Sequence, residues 1–169
     1  MDPAASETRQ TSDRTFRPSV TVASVIERDG RFLMVEERIG ERRVFNQPAG
    51  HLEAGESLVD AAVRETLEET ACRFTPTAVV GLYLWHGSGG RPTFLRVAFA
   101  GEAGEPEAGR SLDADILGCQ WLTRDELVAR PQCLRSPLVI RCIDDYLAGH
   151  RHPLSLLASF EAASPLAPG

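Results

Sequence analysis

The run from Gly50 to Cys72, GHLEAGESLVDAAVRETLEETAC, constrains this chain more than any other stretch. Ser57 is followed three residues later by Asp60, a capping-box arrangement in which a hydroxyl and a carboxylate answer each other's orphan backbone donors. A helix is predicted to start there, after a loop from Gly50 to Glu56. Val59, Ala62, Val63, Thr66 and Thr70 recur at helical spacing and give it one mostly apolar stripe. Glu65, Glu68 and Glu69 share a neighbouring stripe, because offsets of three and four residues return to the same face. Three carboxylates within about one turn repel one another and destabilise a helix unless a cation neutralises them. Hard divalent ions with oxygen ligands, Mg²⁺ or Mn²⁺, do that best.

A lone pair of glutamates on a helix reads as a solvated face. Here the spacing carries more. Gly50 is followed after five residues by Glu56, then after seven more by Arg64-Glu65, then by Glu68-Glu69. This pattern resembles the Nudix box, the loop–helix signature of hydrolases that act on nucleoside diphosphates linked to another moiety. Two positions depart from it: Thr66 stands where a bulky aliphatic is usual, and Ala71 where the pattern has glycine. Thr66 can still pack, its hydroxyl bonded back to the previous turn. Alanine resists the left-handed conformation that ends many helices, so the helix is expected to end differently or run further. Neither departure touches a carboxylate.

The 169 residues fit one domain with a real core. A net charge of −6 argues against a general nucleic-acid-binding surface. All basic residues are arginine, so any side-chain contact to a phosphate comes from Arg, His or a neutral donor. Cys72, Cys119, Cys133 and Cys142 show no CxxC spacing, and they read as buried apolar residues or free thiols in a reducing compartment. No stretch approaches the length of apolar residues that spans a membrane, and the N-terminus has no apolar signal core. A soluble, cytoplasmic protein is expected, with no membrane or nucleic-acid partner, as a monomer or homodimer.

In chain order, residues 1–15 form an expected disordered tail, 16–156 the folded domain and 157–169 a flexible tail. The run after Arg17 predicts two strands around Asp29-Gly30, a strong hairpin signal, with Val20, Val22, Val25, Ile26, Phe32, Leu33 and Val35 as core candidates. Arg38 to Arg43 reads as a charged loop, and Val44 to Gln47 as a short strand. Strands are predicted over Phe74 to Trp85, Pro92 to Ala100 and Ile116 to Leu122, with flexible Gly87 to Gly90 between the first two. Thr123 with Glu126 caps a short helix. Pro137, opening the apolar-periodic run through Leu147, starts an amphipathic one that Gly149 ends. Strands enclosing a helix and followed by another suggest an α/β (α+β) domain, an α/β/α sandwich with a mixed β-sheet. The resemblance to Nudix proteins implies the same fold.

NQPAGHLEAGE at Asn46 to Glu56, FLR at Phe94 to Arg96 and LRSPLV at Leu134 to Val139 look like the NudJ-type phosphatase subgroup. That resemblance implies an Mg²⁺-dependent enzyme releasing phosphate from nucleoside di- and triphosphates or thiamine-type pyrophosphates. By position in the box, Glu68 and Glu69 would hold the metal, with Glu65 a further ligand or the base and the Gly50 carbonyl an additional oxygen ligand. Glu65 and Glu69 both stay open as the proton acceptor. Arg64 would orient the carboxylates. Outside the box, Asp115 is a candidate late acid set against a plain loop acid. Arg96, in a strand, suits phosphate or an internal ion pair, and Arg135 precedes a helix N-terminus that suits an anion. Trp85 either stacks on a substrate ring or packs in the core, the simpler account. Asn46 and Gln47 either bond a base or satisfy nearby backbone. His51 either meets phosphate or stands free in its loop. Rival readings are another Nudix specificity, such as an oxidised nucleotide or ADP-ribose, and a Nudix-fold sensor that binds a nucleotide or phosphosugar without cleaving it. A sensor can dispense with these glutamates; all are present here.

Overall fold

The computed structural model describes residues 16–87 and 92–160. The expected N-terminal tail, most of the Gly87–Gly90 turn and the chain beyond 160 lie outside them. The elements are β1 (Ser19–Arg28), β2 (Arg31–Ile39), β3 (Arg42–Asn46), β4 (Ala49–His51), α1 (Leu58–Thr70), β5 (Phe74–His86), β6 (Thr93–Ala103), β7 (Ile116–Leu122), α2 (Arg124–Val128) and α3 (Leu138–Leu147). The sheet runs β3-β2-β1-β6-β5, with β4 added to β1 and β7 to β2. β1 and β6 are parallel and the other pairs antiparallel, so the sheet is mixed as expected.

Strand alternation sorts the core into two layers. Val22, Ile26, Val97, Phe99 and Val79 pack with Ala61 and Ala62 of α1, while Ala23, Val25, Ala98, Ala100 and Val80 pack with Val139, Cys142 and Ile143 of α3. Helices therefore cover both faces, the expected α/β/α sandwich. Of the seven core candidates Val20 alone is only half-buried. α1 is pinned to the sheet by Thr66, whose hydroxyl donates to the Ala62 carbonyl and pairs with the Ser24 hydroxyl, both at 2.7 Å.

Four local expectations need correction. Arg38–Arg43 is not a loop: β2 continues to Ile39, turns at Gly40-Glu41 and returns as β3, with Arg38 opposite Arg43. Its charges belong to an exposed edge hairpin, and Arg43 reaches Glu36 at 3.5 Å to offset the repulsion. Gly50 lies in the short strand β4 against β1 rather than in a loop. Ser57 caps α1 by accepting from the Asp60 N–H, but Asp60 answers the Ser57 hydroxyl at 2.7 Å instead of its backbone. Ala71 does adopt the left-handed conformation, with φ 59°, and its N–H closes on the Leu67 carbonyl. The box geometry prevails over the side chain's preference, at a cost of about 1 kcal/mol. Around the second half, α2 carries the full Thr123/Glu126 capping box. Pro137 stands one place before the first turn of α3. Past α3, Leu154 and Leu157 pack against the α1 layer.

Candidate active site

β1 divides its edge. Residues Thr21 to Ala23 pair with β4, whereas Glu27 and Arg28 pair with β2. The sheet forks between these branches, and a cleft of about 550 Å³ opens there, lined by residues of β1 to β6, α1, the 113–116 segment and the 135–138 segment. The fork gives α1, which packs on the opposite face, an opening into the cleft. Glu65 and Glu69 line it.

Gly50 is the position that admits them. A Cβ on Gly50 would overlap the Glu65 carboxylate, so only glycine lets β4 lie this close to α1. One turn on, Glu69 Oε2 accepts from the Ala49 N–H at 2.8 Å. Arg64 is the hub between Glu65, Glu68 and the loop. Its Nε and Nη2 form a fork on Glu56 at 3.0 and 2.7 Å, and Nη1 donates to Glu65 at 2.9 Å and Glu68 at 3.0 Å. Nη2 also holds the His51 carbonyl at 3.0 Å, tying the glycine strand to the helix. Bonding to Arg64 keeps the Glu56 carboxyl below its ordinary range, while the guanidinium is pushed higher.

Burial raises the pKa of Glu65, with Arg64 pulling it back and Glu68 and Asp113 adding to the rise. Burial pushes Glu69 up to about 9; the Ala49 bond opposes this, and the charges of Glu37, Glu65 and Asp113 reinforce it. Arg64 answers Glu65 and Glu68 but does not reach Glu69, and buried like charges so incompletely neutralised favour an added cation. The donor set is all oxygen, which fits a hard divalent ion. Among the described residues no three acidic, histidine or cysteine side chains already converge at ligand spacing. Arg64 occupies an oxygen each of Glu65 and Glu68, and Ala49 one of Glu69. The Asp113 N–H bonds the Glu68 carbonyl, which docks the acidic loop on α1. Asp115 also lines the cleft, but the loop charge acting on Glu65 and Glu69 is that of Asp113.

The other end of the cleft is basic and aromatic. Arg96 is buried, and burial lowers its pKa; Nη1 donates to the Asn46 amide oxygen at 3.5 Å. Arg135, near the surface, reaches Glu37 at 3.3 Å. Burial raises the Glu37 pKa, against the pull of Asn46 and Arg135. Trp85 lines the cleft rather than the core, stacked on Phe94 with ring centroids 5.8 Å apart. His51 faces Phe94 as well, at 6.2 Å. Gln47 does not join them. It is buried, its amide donating to the Val139 carbonyl at the start of α3, and it positions that helix. Thr21, Glu37 and Phe94 carry no site signal of their own in the sequence, and of the neighbouring acids Asp113 and Asp115 the sequence favours Asp115. Phe94 was within reach, since it stands two residues from Arg96 and shares its face. Glu37 was not, because it sits in a charged run.

A NUDIX domain model matches residues 15–140, most of the chain. The chain belongs to the NUDIX family. The "Phosphatase NudJ" of Shigella boydii serotype 4 is 42% identical over 145 residues, covering 86% of this chain and 94% of that protein. A NUDIX hydrolase from Nitrosomonas europaea of known structure is 44% identical, with a TM-score of 0.83 over 85% of this chain and 98% of the other. A MutT NUDIX hydrolase from Burkholderia pseudomallei, 22% identical, shares the fold, with a TM-score of 0.64 over 76% of this chain and 98% of the other. The chain is therefore a NUDIX enzyme of the pyrophosphohydrolase and phosphatase kind. Such enzymes generally use divalent metal ions and small phosphorylated substrates. No helix among the described residues is long and apolar enough to cross a membrane.

Proposed function

We propose that this NUDIX enzyme is a cytoplasmic, Mg²⁺-dependent hydrolase that cleaves phosphoanhydride bonds of nucleoside di- and triphosphates and thiamine-type pyrophosphates, Mn²⁺ serving in place of Mg²⁺. The observation that carries this reading is the buried pair Glu65 and Glu69 at the Gly50 edge of a cleft whose far end presents Arg96 and Arg135. Glu65, Glu68, Glu69 and the Gly50 carbonyl would hold the ion, which supplies charge neutralisation on the diphosphate and a more acidic bound water.

The chain's own residues do the rest. Arg64 fixes the rotamers of Glu56, Glu65 and Glu68, so the ligand oxygens are preorganised. Glu65 and Glu69 are the two carboxylates placed to take the proton from the attacking water. Arg135 at the rim meets phosphate oxygens, Asn46 holds the Arg96 guanidinium, and Trp85 offers its face to a substrate ring. Asp113 and Asp115 extend the acidic wall from the loop side. The relative named for phosphatase activity supports release of orthophosphate, and the acidic net charge makes long RNA a poor substrate.

The test is phosphate and pyrophosphate release across nucleoside di- and triphosphates, thiamine pyrophosphate, ADP-ribose and oxidised dGTP with Mg²⁺. Orthophosphate from several nucleotides and from thiamine pyrophosphate is the expected result. A single sharply preferred substrate, such as ADP-ribose, would overturn the substrate range. Tight binding without turnover would overturn the hydrolase.

A further inference from the structure

Among the described residues, four buried side-chain polar atoms lack a hydrogen-bond partner: Thr21 Oγ1, Glu37 Oε1, Gln47 Oε1 and Arg96 Nε. Three of the four belong to side chains that line the same cleft. An unpartnered buried polar group costs roughly 1–3 kcal/mol, and such groups are rare in folded chains, so three in one wall mark a place kept for a ligand. They are also contiguous. Thr21 is the register partner of Arg96 across β1 and β6, and Arg96 is bonded to Asn46, whose strand β3 lies beside the Glu37 strand β2. Phe94 precedes Arg96 on the same face of β6 and carries Trp85 stacked against it.

The chemistry of the three atoms is mixed. Arg96 Nε can only donate, Glu37 Oε1 as a carboxylate oxygen can only accept, and the Thr21 hydroxyl can do either. A phosphate would satisfy Arg96 but would be repelled by Glu37, and a purely apolar ring would leave all three unpaired. A flat ring whose edge carries a donor beside an acceptor satisfies the set, and its faces fit the aromatic wall. We propose that Thr21, Glu37 and Arg96 read the polar edge of a heterocycle carried by the substrate, a nucleobase or similar amino-substituted ring, while Trp85 and Phe94 pack against its face. This rests on the hydrolase reading above, with the phosphate chain directed toward Glu65 and Glu69. The site separates recognition of the ring from chemistry on the phosphates.

The experiment compares CTP with inorganic tripolyphosphate, which has the phosphate chain and no ring, for wild type, Glu37→Gln and Thr21→Val, all with Mg²⁺. Loss of a hydrogen bond to a charged group predicts that Glu37→Gln lowers kcat/KM for CTP roughly tenfold or more, chiefly through KM, with a smaller loss on tripolyphosphate. Thr21→Val, which deletes an unpartnered buried hydroxyl at nearly constant volume, should weaken CTP turnover and yet raise the Tm. A residue with only a structural role would not separate those two readouts. Equal losses on both compounds, no loss on either, or a wild-type enzyme that treats CTP and tripolyphosphate alike would overturn the proposal. If wild type turns over neither compound, the hydrolase reading fails instead, and calorimetric titration with CMP decides the ring site. CMP binding weakened about tenfold by Glu37→Gln would then sustain the ring site, and absent or unaltered binding would overturn it.

Discussion

The Glu65 carboxylate lies directly over the Cα of Gly50, in the space any other side chain at that position would fill. The box glycine is therefore a steric requirement of the glutamate fifteen residues later, and the two positions work as one. The obstructing atoms are the far end of a flexible side chain, so the chain can yield to a methyl group by moving the carboxylate rather than by unfolding. Gly50→Ala should keep its circular dichroism and lose only about 1 kcal/mol in denaturant unfolding. A displacement near 1 Å at a reacting group costs on the order of a hundredfold in rate, so kcat should fall by about that much.

Arg64 bonds three carboxylates and one carbonyl, and a lysine cannot reproduce its fork. Arg64→Lys should leave Glu56, Glu65 and Glu68 less well held, reducing kcat/KM roughly tenfold or more. Arg64→Ala, which leaves partly buried carboxylates unpaired, should also cost several kcal/mol in stability, on the order of 3–5. Chemical denaturation and steady-state kinetics on the two variants separate the effects.

Ala71 occupies a left-handed conformation that glycine adopts freely. Ala71→Gly should raise stability by up to about 1 kcal/mol, a Tm gain of a few degrees for a domain of this size, although extra freedom in the unfolded chain offsets part of it. Differential scanning calorimetry reads this directly, and an unchanged or lower Tm would show that the unfolded-state term dominates.

In the metal-free chain, Glu69 carries a folded-state pKa of about 9 against an ordinary 4.5. Because the folded value is the higher, the group's stabilising contribution is full below 4.5 and is lost as pH rises through 9. The Tm of wild type in EDTA should therefore fall relative to Glu69→Gln between pH 5 and pH 9, with the difference widening upward, the window being that set by the shift. A divalent ion favours the ionised form, so the Tm gain from added Mg²⁺ should grow over the same range.

The strand and helix plan and the box residues were legible because their signals are local. Asp29-Gly30 sets a turn, Ser57 sets a cap, and the spacing from Gly50 to Glu69 is a property of consecutive residues. What was not legible depends on long-range packing. Arg38–Arg43 reads as a loop by its charges and becomes a hairpin because β2 has β1, β3 and β7 beside it. Ala71 resists its conformation locally and accepts it because the rest of the box geometry is satisfied. Glu37, Phe94 and Thr21 reach the cleft only because β1 divides its edge between β2 and β4, a relation absent from any short stretch of sequence. Of the two readings of Trp85 the simpler, core packing, gives way to cleft wall, because its register partner across β5 and β6 is Phe94, which lines the cleft with it.

The role of the α1 carboxylates is decided by Mg²⁺-dependent phosphate release from Glu69→Gln beside wild type, with near-UV circular dichroism on both. Glutamine matches the volume of Glu69 and removes its charge, so the account predicts an intact fold and loss of Mg²⁺-dependent turnover. A folded Glu69→Gln protein that releases phosphate at the wild-type rate would contradict the assignment of the carboxylates on α1 as the metal site.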